Sequence, residues 1–256
     1  MHNIERLLTI MQRLRDPNGG CPWDRAQTYK TIVPHTLEEA YEVADAIERE
    51  DYDELRDELG DLLFQVVFYA QLAREEGRFD FDLIAGAIAD KLERRHPHVF
   101  GDKQVAGVDE QTRHWEALKQ AERANKPERE DHSVFAGIAR TLPALSLAGK
   151  LQRRAAQVGF DWPDHTGVMA KVAEELDEIR QDWADPDRRE DEVGDLLFTC
   201  VNLARHAGCD PEAALRRANQ KFERRFRAME TLTQGQGRPI DQLNPDELEA
   251  LWRQVK

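Results

Sequence analysis

Two stretches of this 256-residue chain carry apolar side chains on nearly every face of a helix, "DLLFQVVFYAQLA" at 61–73 and "DLLFTCVNLA" at 195–204. At about 100° per residue, such a run leaves no wide polar face. Each therefore predicts a helix buried on several sides, as at the centre of a bundle. Ahead of each lies a segment that mixes acids and apolar residues at helical spacing, "LEEAYEVADAI" at 37–47 and "AEELDEIRQDW" at 173–183. These predict amphipathic helices packed antiparallel to the buried ones through short polar loops. The opening "MHNIERLLTIMQRLRD" has charges inside its apolar spacing, so it predicts an amphipathic helix and not a signal peptide. No apolar run approaches the roughly 20 residues of a membrane span. Helix formers dominate and β-branched runs are short, so the expected fold class is all-α.

The pattern is written twice. "DELGDLLF" at 57–64 returns as "DEVGDLLF" at 191–198, with one letter changed. "DKLERRH" at 90–96 matches "QKFERRF" at 220–226, and Trp115 with Lys119 is echoed by Trp252 with Lys256. "GCPWD" at 20–24 has a looser echo in "GFDW" at 159–162. Recurrence in the same order predicts a tandem duplication of one helical unit. The expected division is an N-terminal unit at 1–123, a polar, Pro-containing linker at 124–135 and a C-terminal unit at 136–256, whose first helix opens near Pro143.

Charge narrows the function. The chain carries 50 acidic against 36 basic residues, a net charge of −14, which argues against direct nucleic-acid binding. An anionic substrate would need bridging cations or a local basic cluster. Cys21, Cys200 and Cys209 form no CxxC and are odd in number, a reduced, cytoplasmic pattern.

Helical spacing places the acids on shared faces. Glu38, Glu39 and Glu42 are repeated as Glu174, Glu175 and Glu178. Glu58 and Asp61 are repeated as Glu192 and Asp195, each pair three residues apart. An antiparallel hairpin brings the two sets to one level. Acids in a first turn also suit the helix dipole, which is the structural alternative for any single pair. Two features argue against it. Asp61 and Asp195 run straight into apolar helix, and the arrangement occurs twice. Carboxylates gathered near a core repel unless cations join them. A set with no His or Cys selects Mg²⁺, with Mn²⁺ as a substitute. Gly60 and Gly194, between the paired acids, would allow close approach of a metal, ligand or helix. Lys91, Arg94 and Arg95, and then Lys221, Arg224 and Arg225, form cationic faces suited to phosphate or to pairing with a nearby Glu. "HPH" at 96–98 and the E-x-x-H at 93–96 are expected to be a loop and not a di-iron site, because the matching unit reads "ERRF". Trp23 and Trp162 are expected in the core or a lid.

E-x-x-E with a preceding Glu, a short spacer, E-x-x-D and a Lys/Arg helix resemble the MazG family of nucleoside triphosphate pyrophosphohydrolases, and "GCPWD" and "HPHVFGD" (96–102) resemble its two-domain bacterial form. The resemblance implies an all-α homodimer that depends on Mg²⁺ and cleaves nucleoside triphosphates to monophosphate and pyrophosphate. It implies metal ligands Glu175, Glu178, Glu192 and Asp195, with Glu39, Glu42, Glu58 and Asp61 as the counterpart set. Glu174 (or Glu38) becomes the candidate base, with Glu175 and Lys221 as further catalytic groups. The implied nucleotide contacts are Lys171, Glu174, Arg188, Arg189, Asn219, Lys221, Arg224, Arg225, Trp252 and Lys256. Asn219 stands where the first unit has Ala89, which makes the second unit the expected main catalytic site. The alternatives are a pyrophosphatase specific for one deoxynucleotide and a non-catalytic helical dimerisation module.

Overall fold

A computed structural model describes residues 2–101, 107, 111, 115, 118, 122, 131, 133–235 and 238–256. Every regular element among them is helical. The chain divides into two compact units, Met1–Pro127 and Glu128–Lys256. Lys119 and most of the expected linker lie outside the described residues.

The first unit comprises α1 (Asn3–Leu14), α2 (Pro22–Ala26), α3 (Tyr29–Glu48), α4 (Tyr52–Glu75), α5 (Phe81–Arg95) and α6 (Pro97–Phe100). Helix starts follow the sequence locally. Thr28, Asp51 and Asp80 cap α3, α4 and α5 by accepting from backbone N–H groups one turn on. α3 and α4 form the main hairpin, and α1 lies across α4. Met11, Ile32, Val67, Phe68 and Leu72 make the core. Arg15 locks this packing: it forms a two-pronged ion pair with Glu75 and donates to the carbonyls of Asp24 and Gln27. "HPH" opens the short helix α6 where a loop was expected, with Pro97 at its start.

The second unit comprises α7 (Ala144–Ala156), α8 (His165–Gln181), α9 (Pro186–His206), α10 (Pro211–Gly235), a 3₁₀ turn (Ile240–Gln242) and α11 (Pro245–Gln254). α8 and α9 repeat the α3–α4 hairpin, and α7 packs on α9 as α1 does on α4. The expected burial on several sides holds for the later part of α4, from Gln65 on, but not for its start, where Leu59 and Leu63 are exposed, nor for α9. α4 buries Val67, Phe68, Ala70, Leu72 and Ala73, whereas α9 buries only Thr199 and Val201 and leaves Val193, Leu197 and Phe198 exposed. One unit supplies too few helices to cover a helix that is apolar all round.

The α3–α4 turn carries a local strain. Glu50 sits in the left-handed region at φ 57°, with its N–H and that of Asp51 capping the end of α3. A glycine takes this conformation without the Cβ penalty, which is roughly 1 kcal/mol or more. Glu50→Gly is expected to raise the melting temperature in a thermal unfolding scan, and a lowered one would contradict this account.

Candidate metal centre and adjoining cavity

Each hairpin holds its acids face to face. In the first unit, Glu39 from α3 meets Glu58 and Asp61 from α4. In the second, Glu175 from α8 meets Glu192 and Asp195 from α9. Within each trio, carboxylate oxygens lie within 4.8 Å of one another. These are the two acidic clusters with metal-ligand spacing among the described residues, and neither includes His96 or His98. Glu42 and Glu178 are not within the trios but are close enough to act on their charges.

The crowding has an electrostatic signature. Glu39 is held above the usual carboxylate range, first by burial and then by Asp61, Glu42, Glu58 and Glu38. Glu58 is raised by desolvation and by Glu42 and Asp61. Glu192 is raised by desolvation and by Glu178 and Glu175. Desolvation leads in all three, and the neighbouring carboxylates push in the same direction.

The second trio contains the more telling atom. Glu175 is only 2% exposed, and its Oε2 is buried without a hydrogen-bond partner. Its Oε1 lies 3.0 Å from Lys171 Nζ, which also reaches Glu174 at 2.9 Å and Glu178 at 3.9 Å. These bonds hold the Lys171 ammonium well above its ordinary pKa. Lys171 thus partly neutralises the site, while one buried carboxylate oxygen stays unmatched. An all-oxygen donor set with an orphaned buried oxygen fits a hard divalent cation such as Mg²⁺. A Cβ at Gly60 or Gly194 would meet nothing within 4 Å, so among the described residues no helix approaches closely at either glycine.

A cavity of about 400 Å³ opens beside the second trio. Glu175, Asp195 and Lys171 form its charged side. Leu151, Ala155, Phe160, Trp162, Val168 and Phe198 form its apolar walls. Gln152, Thr199, Asn202, Asp161 and Arg205 supply polar groups. The loop holding Phe160 and Trp162 is fastened by Asp161, which forms a two-pronged pair with Arg205 and lies 3.2 Å from His206 Nε2. Trp162 is thus a cavity wall, while Trp23 in the first unit stands exposed beside His35.

The other expected nucleotide contacts lie off this cavity. Arg188 faces Asp182 and Asp185, and Arg189 donates to the Trp183 carbonyl and lies over its ring. Asn219, Lys221 and Arg224 are exposed on α10. Trp252 packs between Phe222 and Arg225, and Arg225 donates to the Lys256 carbonyl. None of these residues lines the cavity. In the first unit the matching arginines are occupied: Arg95 and Arg94 both bind Glu122, whose carboxyl is pulled down to about 2. Glu174 is exposed and held by Lys171, and Glu38 lies 3.7 Å from His35.

Sequence reasoning missed Gln152, Asn202 and Arg205. The available signal was the repeat itself: its register sets Asn202 against Phe68, a polar residue where the other copy buries a ring.

The MazG nucleotide pyrophosphohydrolase domain model matches residues 27–100. The chain is 56% identical over 260 residues to the nucleoside triphosphate pyrophosphohydrolase of Escherichia coli (strain K12), covering 100% of this chain and 98% of the relative. It is 43% identical over 253 residues to the nucleoside triphosphate pyrophosphohydrolase/pyrophosphatase MazG of Thermotoga maritima, covering 99% and 95%. A Mycobacterium tuberculosis nucleoside triphosphate pyrophosphohydrolase is 36% identical over 158 residues, 61% of this chain and 46% of the relative.

Glu192→Gln removes one charge from the second trio. Without divalent cations it is expected to melt higher than the unaltered protein, and to lose most of the stabilisation that Mg²⁺ gives that unit. A variant that melts lower and still responds fully to Mg²⁺ would refute the metal-site assignment.

Proposed function

The chain belongs to the MazG family, and from that premise we propose that it is a Mg²⁺-dependent nucleoside triphosphate pyrophosphohydrolase whose main catalytic site is the second unit. The reaction is attack of water on the α-phosphorus, with cleavage of the bond from that phosphorus to the bridging oxygen. Nucleoside monophosphate and pyrophosphate are the products. The observation that carries this reading is the Glu175–Glu192–Asp195 trio opening onto a cavity large enough for a nucleoside.

Glu175, Glu192 and Asp195, with Glu178 beside them, would hold the cation. When bound, it neutralises charge on the phosphates and makes water more acidic. The chain's own groups complete the chemistry. Phe160, Trp162 and Phe198 give the cavity aromatic walls that suit a base and shed water around it. Lys171 supplies a cation at the cavity edge, where it can exchange a carboxylate partner for a phosphate oxygen. Glu174, exposed beside Lys171, would take the proton from attacking water. Lys221 and Arg224 on α10 offer exposed cationic groups to the outer phosphates. Trp252 and Arg225 brace that helix.

The first unit keeps its acids, and the family model's match falls on it. It differs around them. Phe68 is fully buried where the second unit has Asn202, and Glu122 occupies Arg94 and Arg95. A unit so filled and so neutralised is weaker or structural. Glu175→Ala is expected to abolish pyrophosphate release from common triphosphates, and Glu39→Ala to leave most of it, with both folds checked by circular dichroism. Equal losses, or the reverse order, defeat the assignment. Orthophosphate release in place of pyrophosphate defeats the reaction itself.

The working form is a homodimer. Val33, Leu37 and Tyr41 form an exposed stripe on α3 at i, i+4, i+8, and Leu59 and Leu63 lie exposed on α4. Met169, Leu176, Val193 and Leu197 are likewise exposed on α8 and α9. Apolar stripes of this kind, wider than one unit's few helices cover, are covered by a second copy. Light scattering is expected to give twice the chain mass, and a monomer mass independent of concentration rules the dimer out.

A further inference from the structure

We propose that Gln152 and Asn202 read the nucleobase in the second unit, an inference that rests on the cavity being the nucleoside pocket. Both side chains line that cavity. Gln152 is 6% exposed, and its Nε2 donates to the Phe198 carbonyl at 2.8 Å. A carbonyl only accepts, so this bond fixes which end of the amide is which. The other end, Oε1, is buried and has no hydrogen-bond partner. Asn202 is fixed in the opposite sense. Its Oδ1 accepts from Arg205 Nη2 at 2.6 Å, and a guanidinium only donates. Its Nδ2 is thereby left as a donor. Asp161 in turn anchors Arg205. These two lining residues therefore offer one acceptor and one donor, and neither amide can flip without losing its own bond.

The pairing edge of every common base offers the complement. Adenine and cytosine present an amino group beside a ring nitrogen, and guanine and uracil a ring N–H beside a carbonyl. An N–H of the base satisfies Gln152 Oε1, and the neighbouring acceptor takes the Asn202 amide. A purely structural Gln152, present to hold the Phe198 carbonyl, does not account for the pair. Gln152 lies on α7, which packs on α9 as α1 packs on α4. At the position that the repeat sets against Asn202, the first unit buries Phe68. A buried acceptor without a partner is costly, and a ligand that supplies the donor removes that cost.

The test compares pyrophosphate release by the unaltered enzyme and by Gln152→Met, which removes the amide and keeps an unbranched side chain of similar length. One substrate pair is ATP and purine riboside triphosphate, which lacks the amino group. The other is inosine triphosphate and its N1-methyl derivative, which lacks the ring N–H. In the unaltered enzyme at least one pair is expected to differ by about ten-fold or more in kcat/KM. In Gln152→Met that difference is expected to shrink to within about two-fold. If this variant does not fold, Asn202→Asp serves: it keeps the shape and the acceptor for Arg205 but turns the donor into an acceptor. It is expected to change the ranking of ATP, GTP, CTP and UTP. Flat pairs in the unaltered enzyme, a gap that survives in Gln152→Met, or an Asn202→Asp loss uniform across the four triphosphates overturns this assignment and leaves the pyrophosphohydrolase reading standing. Absence of pyrophosphate from every triphosphate overturns both.

Discussion

The structure depends on like charges held together. In each unit two antiparallel helices set three carboxylates within 4.8 Å of one another. Nothing in those side chains favours the arrangement, since burial and mutual repulsion raise Glu39, Glu58 and Glu192 above the ordinary range. The apolar contacts behind the helices must hold it. In the first unit those contacts are Met11, Ile32, Val67, Phe68 and Leu72, with Arg15 clamping the helix end through Glu75. In the second they are fewer, and Lys171 supplies a cation directly to the acids. A fold that holds carboxylates against their repulsion is pre-organised for a cation, and the work of assembling the ligands is done before the ion arrives.

The same hairpin with its acid trio occurs in both units, and the difference lies in what surrounds it. The first copy buries Phe68 where the second has Asn202, and ties up Arg94 and Arg95 with Glu122. The second lines a cavity beside Glu175 with Gln152 and Asn202. An apolar core stabilises, whereas a cavity with polar walls gives up packing and leaves buried polar atoms to be satisfied. The two copies thus differ in packing: a filled apolar core in one, a polar-walled cavity in the other. The family domain model matches within the first copy, at 27–100, while likeness to the full-length relatives runs through both.

The helices, their hairpin pairing and the acidic faces were legible from spacing, because an α-helix converts sequence separation into direction at a fixed angle. Thus Glu58 and Asp61, three apart, had to share a face with each other, and so did Glu192 and Asp195. That these faces meet Glu39 and Glu175 followed from the short turns at 49–51 and 182–185. Spacing also promised more than one chain delivers: α9 reads as buried, yet Val193, Leu197 and Phe198 remain exposed. An apolar letter states that burial is favourable, not which surface provides it.

The sequence by itself determined the fold class, the repeat and the identity of the acids, all of which are local or periodic. Tertiary structure alone decided which acids form a trio, with Glu42 and Glu178 standing outside it, and where the basic residues lie. It placed Lys171 between Glu174 and Glu175 and kept Lys221, Arg225 and Trp252 away from the cavity wall. It also set the amide of Gln152 against the Phe198 carbonyl, 46 residues along the chain, and left its other oxygen without a partner. A hydrogen bond between helices depends on their rotation and height, which side-chain packing sets and no local pattern encodes.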